Sequence, residues 1–342
     1  MALPATPTRE FLTGLPKSEL HVHLEGTLEP ALKLALAERN GVAIGQRTVA
    51  EVEATYRFDS LTSFLAVYYP AMDVLREPAD FYDLARAYLQ RAAADGVRHV
   101  EMFFDPQAHT SRGVPFESVV TGYHRAAAEA TELGIDASLI MCFLRDHSAE
   151  SAAETLEASV PFRELIVGVG LDSDERGNPP EKFADVFGRA RQLGYRLTMH
   201  CDIDQVGSID NIRTVLQDIR TDRIDHGTNI IEDPSLVEEL RSRGIGLTCC
   251  PISNRFVTSD MKNVEIAELL RSGVRVTVNS DDPAYFGGYI VDNYLALAEA
   301  AGLSSAEVVT LAENSFLISW LDDERRAGFL DEVGTYVREF GG

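Results

Sequence analysis

Leu20-His21-Val22-His23-Leu24-Glu25-Gly26 closes a short apolar run near the start of the chain. Side chains of a strand alternate between faces, so His21 and His23 point the same way and can grip one metal ion. The pattern recurs downstream. His200 ends the run Tyr195-Arg196-Leu197-Thr198-Met199, and His226 ends Asp222-Arg223-Ile224-Asp225. Asp281 ends Val274-Arg275-Val276-Thr277-Val278-Asn279-Ser280. Polar ligands at the ends of several separate strands predict an active site on the rim of a barrel.

Eight such runs read as strands, near 19–24, 97–104, 136–143, 165–171, 195–200, 222–226, 245–249 and 274–280. Segments of helical period lie between them, and Gly96, Gly134, Gly194, Gly244 and Gly273 follow helical segments as C-terminal stops. Alternating strand and helix predicts a parallel sheet of the α/β class, and eight repeats predict a closed (β/α)₈ TIM barrel. Residues 30–95 hold several helical patterns. That is too long for one crossover helix, so they read as a helical insertion after the first strand, over the barrel mouth. The chain, 1–342, is expected to form a single domain, with the tail from Ser304 to Phe340 packed outside the barrel as helices.

The 342 residues are 45% apolar and 25% charged, ordinary for a soluble globular protein. A net charge of −23 leaves no basic stripe to neutralise phosphates and argues against nucleic acid. No run is long and apolar enough to span a bilayer. The start, Met1-Ala2-Leu3-Pro4-Ala5-Thr6-Pro7, lacks the basic-then-apolar pattern of a signal peptide. The cysteines Cys142, Cys201, Cys249 and Cys250 form no C-x-x-C pair, which fits reduced thiols in a cytoplasmic enzyme.

A zinc-type ion needs imidazole nitrogens and carboxylate oxygens, with a position left open for water. His21, His23, His200 and Asp281 supply that set. Bound Zn²⁺ makes hydroxide available at neutral pH. His226 then suits a general base or an oxyanion partner. His99, His124 and His147 have no partner pattern and read as ordinary core or surface histidines, while His109 fits either reading. Two-metal hydrolases on this scaffold use a bridging carboxylated lysine at the end of the fourth strand. Here Leu165 to Leu171 runs into Asp172-Ser173-Asp174-Glu175 with no lysine, so one Zn²⁺ per chain is expected.

These residues resemble the adenosine/adenine deaminase family of the metal-dependent amidohydrolases. Leu15-Pro16-Lys17-Ser18-Glu19-Leu20-His21-Val22-His23-Leu24-Glu25-Gly26 is similar to the family's opening motif, and Ser280-Asp281-Asp282-Pro283 to its closing motif. Phe103-Phe104-Asp105-Pro106-Gln107, Gly170-Leu171-Asp172-Ser173-Asp174-Glu175 and Asp222-Arg223-Ile224-Asp225-His226-Gly227 look closest to the adenine deaminase branch. So does Asp281-Asp282-Pro283-Ala284-Tyr285-Phe286-Gly287-Gly288-Tyr289. The resemblance implies that His21, His23, His200 and Asp281 hold zinc and that His226 orients and deprotonates its water. It implies that Asp282 contacts purine N7, that Asp172 and Ser173 lie near the N3 and N9 edge, and that Phe58, Leu61 and Phe64 form an apolar lid.

One departure concerns the fifth strand. The family's H-A-G-E motif places a glutamate that protonates purine N1, and here the segment is His200-Cys201-Asp202-Ile203-Asp204-Gln205. Ile203, at the glutamate position, cannot donate a proton. Asp202 and Asp204 are the nearest carboxyls, each displaced by one residue. They are candidates for the missing acid or for helix caps. The expected activity is zinc-dependent hydrolytic deamination of an adenine-like amino-heterocycle in purine metabolism. A zinc hydrolase acting on a different C–N bond, or on a ring that needs no N1 protonation, is the first alternative. A non-catalytic zinc protein that binds a nucleobase is the second.

Overall fold

The computed structural model describes residues 3–201, 206–258 and 260–341. Nine parallel strands run through it: β1 (Lys17–His23), β2 (Val97–Phe104), β3 (Asp136–Leu144), β4 (Gly168–Asp172), β5 (Arg196–Leu197), β6 (His200–Cys201), β7 (Ile224–His226), β8 (Leu247–Cys249) and β9 (Val276–Val278). They form a five-stranded sheet, β1 to β5 in order, and a four-stranded sheet, β6 to β9 in order. Helices connect successive strands, as the alternating pattern predicts, except between β5 and β6, which follow each other directly. Most of these strands are buried on both faces, which is why they read as apolar runs with little alternation.

The expected single closed ladder of eight strands is not what the hydrogen bonds form. The predicted strand 195–200 is divided. Arg196–Leu197 pairs with β4, and His200–Cys201 pairs with β7. Between them the backbone changes partner: Thr198 N–H donates to Val169 O, while Asp225 N–H donates to Met199 O. The other seam lies between β9 and β1. There the Asn279 side chain accepts from Leu20 N–H at 2.8 Å, where a ladder would use a backbone carbonyl. A bridge between Val22 and Asp281 joins the two sheets just beyond.

Residues 30–95 contain the helices Pro30–Asn40, Val49–Glu53, Leu61–Ala71 and Pro78–Ala94. Proline stands in the first turn of the first and last, where its missing N–H costs nothing. Ser60 caps Leu61–Ala71 by accepting from Ser63 N–H. Pro78–Ala94 packs on Phe116–Ala128 and leads into β2, as a crossover helix does. Gly244 ends Pro234–Arg243 with φ +67°, the left-handed stop expected from the sequence. No helix among the described residues is long and apolar enough to cross a membrane.

Candidate active site

Functional side chains gather at the C-terminal ends of the strands. His21 and His23 come from β1, His200 from β6, His226 ends β7, and Asp281 follows β9. All five are at least nine-tenths buried. The Asp281 backbone donates to His21 O at 3.1 Å and accepts from His23 N–H at 2.9 Å, which fixes it beside the histidine pair. Glu19 holds the preceding residue, accepting from Ser280 N–H at 2.9 Å, from Ser280 Oγ at 2.5 Å and from Tyr88 OH at 2.6 Å. Ser173, His226 and Asp281 have φ of +75°, +58° and +65°. A left-handed backbone costs a non-glycine residue about 1–3 kcal/mol, and such residues cluster where a side chain must be aimed.

Four donor atoms converge. His21 Nε2 lies 3.2 Å from Asp281 Oδ1, His23 Nε2 lies 3.4 Å from the same oxygen, and His23 Nε2 lies 3.1 Å from His200 Nε2. Ligand atoms held about 2.0–2.1 Å from a tetrahedral zinc stand about 3.3–3.4 Å apart. The protonation of the rings also fits a cation. Thr248 OH donates to Asp225 Oδ1 at 2.8 Å, so its oxygen can only accept from His21 Nδ1, 2.9 Å away. That leaves a lone pair on His21 Nε2, an atom with no hydrogen-bond partner. His23 Nδ1 faces Asp172 Oδ2 at 3.4 Å, and His200 Nδ1 faces Asp225 Oδ2 at 3.6 Å. The lone pair on His21 Nε2 then faces the Asp281 carboxylate 3.2 Å away in a buried place, and the two repel unless a cation lies between them. The donor set fits zinc.

Burial pushes His23 and His226 down to about 4, and it pushes His200 well below the usual histidine range. Neutral imidazole is the metal-binding form. Burial alone would raise Asp281, but the rings of His21, His226 and His23 outweigh it and hold the carboxyl well below its usual range. His226 Nε2 stands 3.9 Å from Asp281 Oδ2, and His226 forms with His21, His200 and Asp281 a buried set whose ligand atoms all lie within 4.8 Å of one another.

A cavity of about 720 Å³, counting its open mouth, lies over these atoms. His23, His200, His226, Asp281, Asp282, Asp172, Ser173, Leu61 and Phe64 all line it. Phe58 stands one layer back, packed on Phe64 with ring centroids 5.4 Å apart and on Phe286 at 5.9 Å. Asp202, Ile203 and Asp204 lie outside the described residues. Leu61, Phe64, Leu65, Tyr68 and Tyr69 form one stripe of their helix, at i, i+3, i+4, i+7 and i+8. Tyr69 OH donates to Ser173 Oγ at 2.7 Å and ties that helix to the loop after β4. Gly26 lies so near Asp282 that a Cβ there would come within 2.7 Å of the Asp282 Cα.

Sequence reasoning passed over Asp105. It follows β2 directly, so the strand-end rule that selected His200 and Asp281 also points to it. Asp105, Asp172 and His23 have ligand atoms within 4.8 Å of one another. Burial and neighbouring carboxylates drive Asp105 and Asp282 well above the carboxylate range, and burial together with the Glu25 charge raises Asp172 to about 7. Protonated carboxyls on a cavity wall donate hydrogen bonds at neutral pH. His109, which fitted either reading, is buried away from the cavity and bonds Glu25 Oε1 through Nε2 at 2.8 Å.

A parallel α/β fold with a histidine-rich donor set at its strand ends defines a metal-centred hydrolase. The chain belongs to the adenosine deaminase family, whose model matches residues 16–336, and is a hydrolase of that family acting on C–N bonds. It is 49% identical to adenine deaminase of Zymomonas mobilis over 97% of this chain and 98% of that one. The crystal structure of adenine deaminase from Arthrobacter aurescens superposes with a TM-score of 0.91, at 44% identity over 95% of this chain and 99% of the other. An amidohydrolase structure from Burkholderia ambifaria with bound zinc has a TM-score of 0.82, at 28% identity over 98% of each chain.

Proposed function

We propose that the protein holds one zinc ion per chain through His21, His23, His200 and Asp281 and deaminates adenine or a close amino-heterocycle. Water adds at the ring carbon that bears the amine, and ammonia leaves. Three contacts of 3.1–3.4 Å among the donor atoms of His21, His23, His200 and Asp281 carry this reading, and the adenine deaminase relatives supply the substrate class. When bound, zinc supplies a water acidic enough to attack near neutral pH.

The protein's own groups divide the remaining work. His226, kept neutral by burial, accepts a proton at Nε2 on the face it shares with Asp281. Neutral Asp282 donates a hydrogen bond to purine N7, an acceptor. Asp172 and Ser173 meet the N3 and N9 edge. Leu61, Phe64 and Phe286 bury the ring faces and exclude water. Ile203 cannot donate a proton, so protonation of N1 falls to Asp202 or Asp204 or is dispensed with. In this reading residues 1–342 form one domain, the two sheets are a single interrupted barrel, and the helices within 30–95 form its lid. Four buried cysteines that form no disulfide with one another fit the reducing cytoplasm.

Zinc content by elemental analysis, with steady-state kinetics on adenine, adenosine and other aminopurines, tests the assignment. One zinc per chain and preferred turnover of adenine are expected. A zinc-replete protein inert towards every aminopurine sinks it.

A further inference from the structure

Asp225 is the only carboxylate among the described residues that faces two of the converging histidines from behind. It is fully buried, and it lies beneath the floor of the cavity, not in its lining. Its Oδ1 accepts from Thr248 OH at 2.8 Å, and its Oδ2 accepts from Thr198 OH at 2.7 Å while facing His200 Nδ1 at 3.6 Å. Each threonine spends its single proton on this carboxylate. Thr248 must therefore accept from His21 Nδ1. One buried carboxylate thus disposes the His21 ring to carry its proton on Nδ1 and its lone pair on Nε2.

The carboxylate is itself held. Arg223 Nε approaches Asp225 Oδ1 at 3.8 Å. Its Nη1 pairs with Glu101 Oε2 at 2.5 Å, its Nη2 donates to Leu20 O at 3.2 Å, and its guanidinium lies 4.4 Å from the Trp320 ring centre. Arg223, Glu101, Thr198 and Thr248 are all fully buried. A network of this kind has few alternative arrangements, so it can select one tautomer of a ring packed on it.

We infer that Asp225, acting through Thr248 on His21, is a positioning residue that sets the tautomer of His21 and thereby the affinity of the metal centre. The inference rests on the zinc reading above. Full-length wild type, Asp225→Asn, Thr248→Val and Thr248→Ser are compared by two measurements. One is zinc affinity by competition with a chelator. The other is the side-chain ¹⁵N spectrum of histidine-labelled, metal-free protein, which distinguishes Nδ1–H from Nε2–H rings.

Asp225→Asn and Thr248→Val are expected to weaken zinc binding about 10–100-fold, the range seen when such outer partners are lost. Thr248→Ser, which keeps the hydroxyl, should restore it. In the metal-free spectra wild type and Thr248→Ser should show His21 as the Nδ1–H tautomer, and Thr248→Val should show it mixed. The Thr248 pair carries the test if Asp225→Asn does not fold. Unchanged zinc affinity and unchanged tautomers in Thr248→Val overturn the inference. A wild type that binds no zinc overturns the metal reading instead, while the metal-free spectra still decide the role of Asp225 and Thr248.

Discussion

A side chain in this site is defined as much by what its far end touches as by what its near end presents. His21 shows one nitrogen to Asp281 and the other to Thr248. Replacing His21 or Asp281 by alanine should abolish zinc and turnover together, because each removes one of four closely spaced donors. Elemental analysis beside kinetics checks this, and a zinc-free variant with normal turnover would refute it. His226→Ala should behave differently. His226 is assigned to proton transfer and not to the ligand set, so most zinc should remain while kcat falls about 10²–10⁴-fold, the usual loss for a general acid or base. Near-normal turnover in that variant would remove His226 from the mechanism. The histidines were legible in the sequence because strand alternation turns H-x-H into a shared face. Asp225 was not. It stands beside His226 in the sequence, and only the pairing of β6 with β7 and β7 with β8 brings it behind His200 and Thr248.

The helix Leu61–Ala71 shows how an element is both legible and incomplete from sequence. Its segment reads as helical from sequence, while its start at Ser60, which accepts from Ser63 N–H, comes from the structure. The stripe faces the cavity, and Phe64 packs there on Tyr68, Tyr285 and Phe286 with centroids 5.0, 5.7 and 4.8 Å apart. Phe58, expected in the apolar lid, packs behind Phe64 and Phe286, a distinction that periodicity cannot make for a residue preceding the helix. Phe64→Ala should therefore act twice. Burial in an aromatic cluster predicts a loss of about 3–5 kcal/mol in stability, and loss of the cavity wall predicts a raised KM. Denaturant unfolding and steady-state kinetics separate the two effects, and a variant with unchanged KM would place Phe64 outside the binding surface. Strand limits were less legible than helix faces. The predicted strands 222–226, 245–249 and 274–280 continue beyond the ladder residues 224–226, 247–249 and 276–278. Burial, which the run reports, extends further along each segment than the ladder does.

Across the whole molecule, charge penetrates further than composition suggests. Arg223, Glu101 and His99 are buried in the interior, and the row continues through Asp136 to Arg325 at the surface. His99, an ordinary core histidine in the sequence reading, bonds Glu101 through Nε2 at 3.0 Å and Asp136 through Nδ1 at 2.7 Å. Burial would raise Glu101, but the Arg223 guanidinium and His99 outweigh it and bring the carboxyl down to about 2 from an ordinary 4.5. A carboxylate depressed on folding contributes stability that is fully present above its unfolded value and is lost as pH falls through its folded value. The window therefore runs from about pH 4.5 down to about pH 2. A difference of that size corresponds to about 3 kcal/mol. Glu101→Gln leaves Arg223 buried beside a neutral partner, and breaking a buried pair costs about 3–5 kcal/mol at neutral pH. The stability gap between wild type and Glu101→Gln should be widest above pH 5 and should narrow steadily below it, as protonation makes the wild-type carboxyl resemble the amide. Guanidinium unfolding of both proteins at several pH values between about 7 and 3 measures that gap. A gap that stays constant across this range would mean that Arg223 is neutralised by another group and that Glu101 serves only as a hydrogen-bonding spacer in the interior.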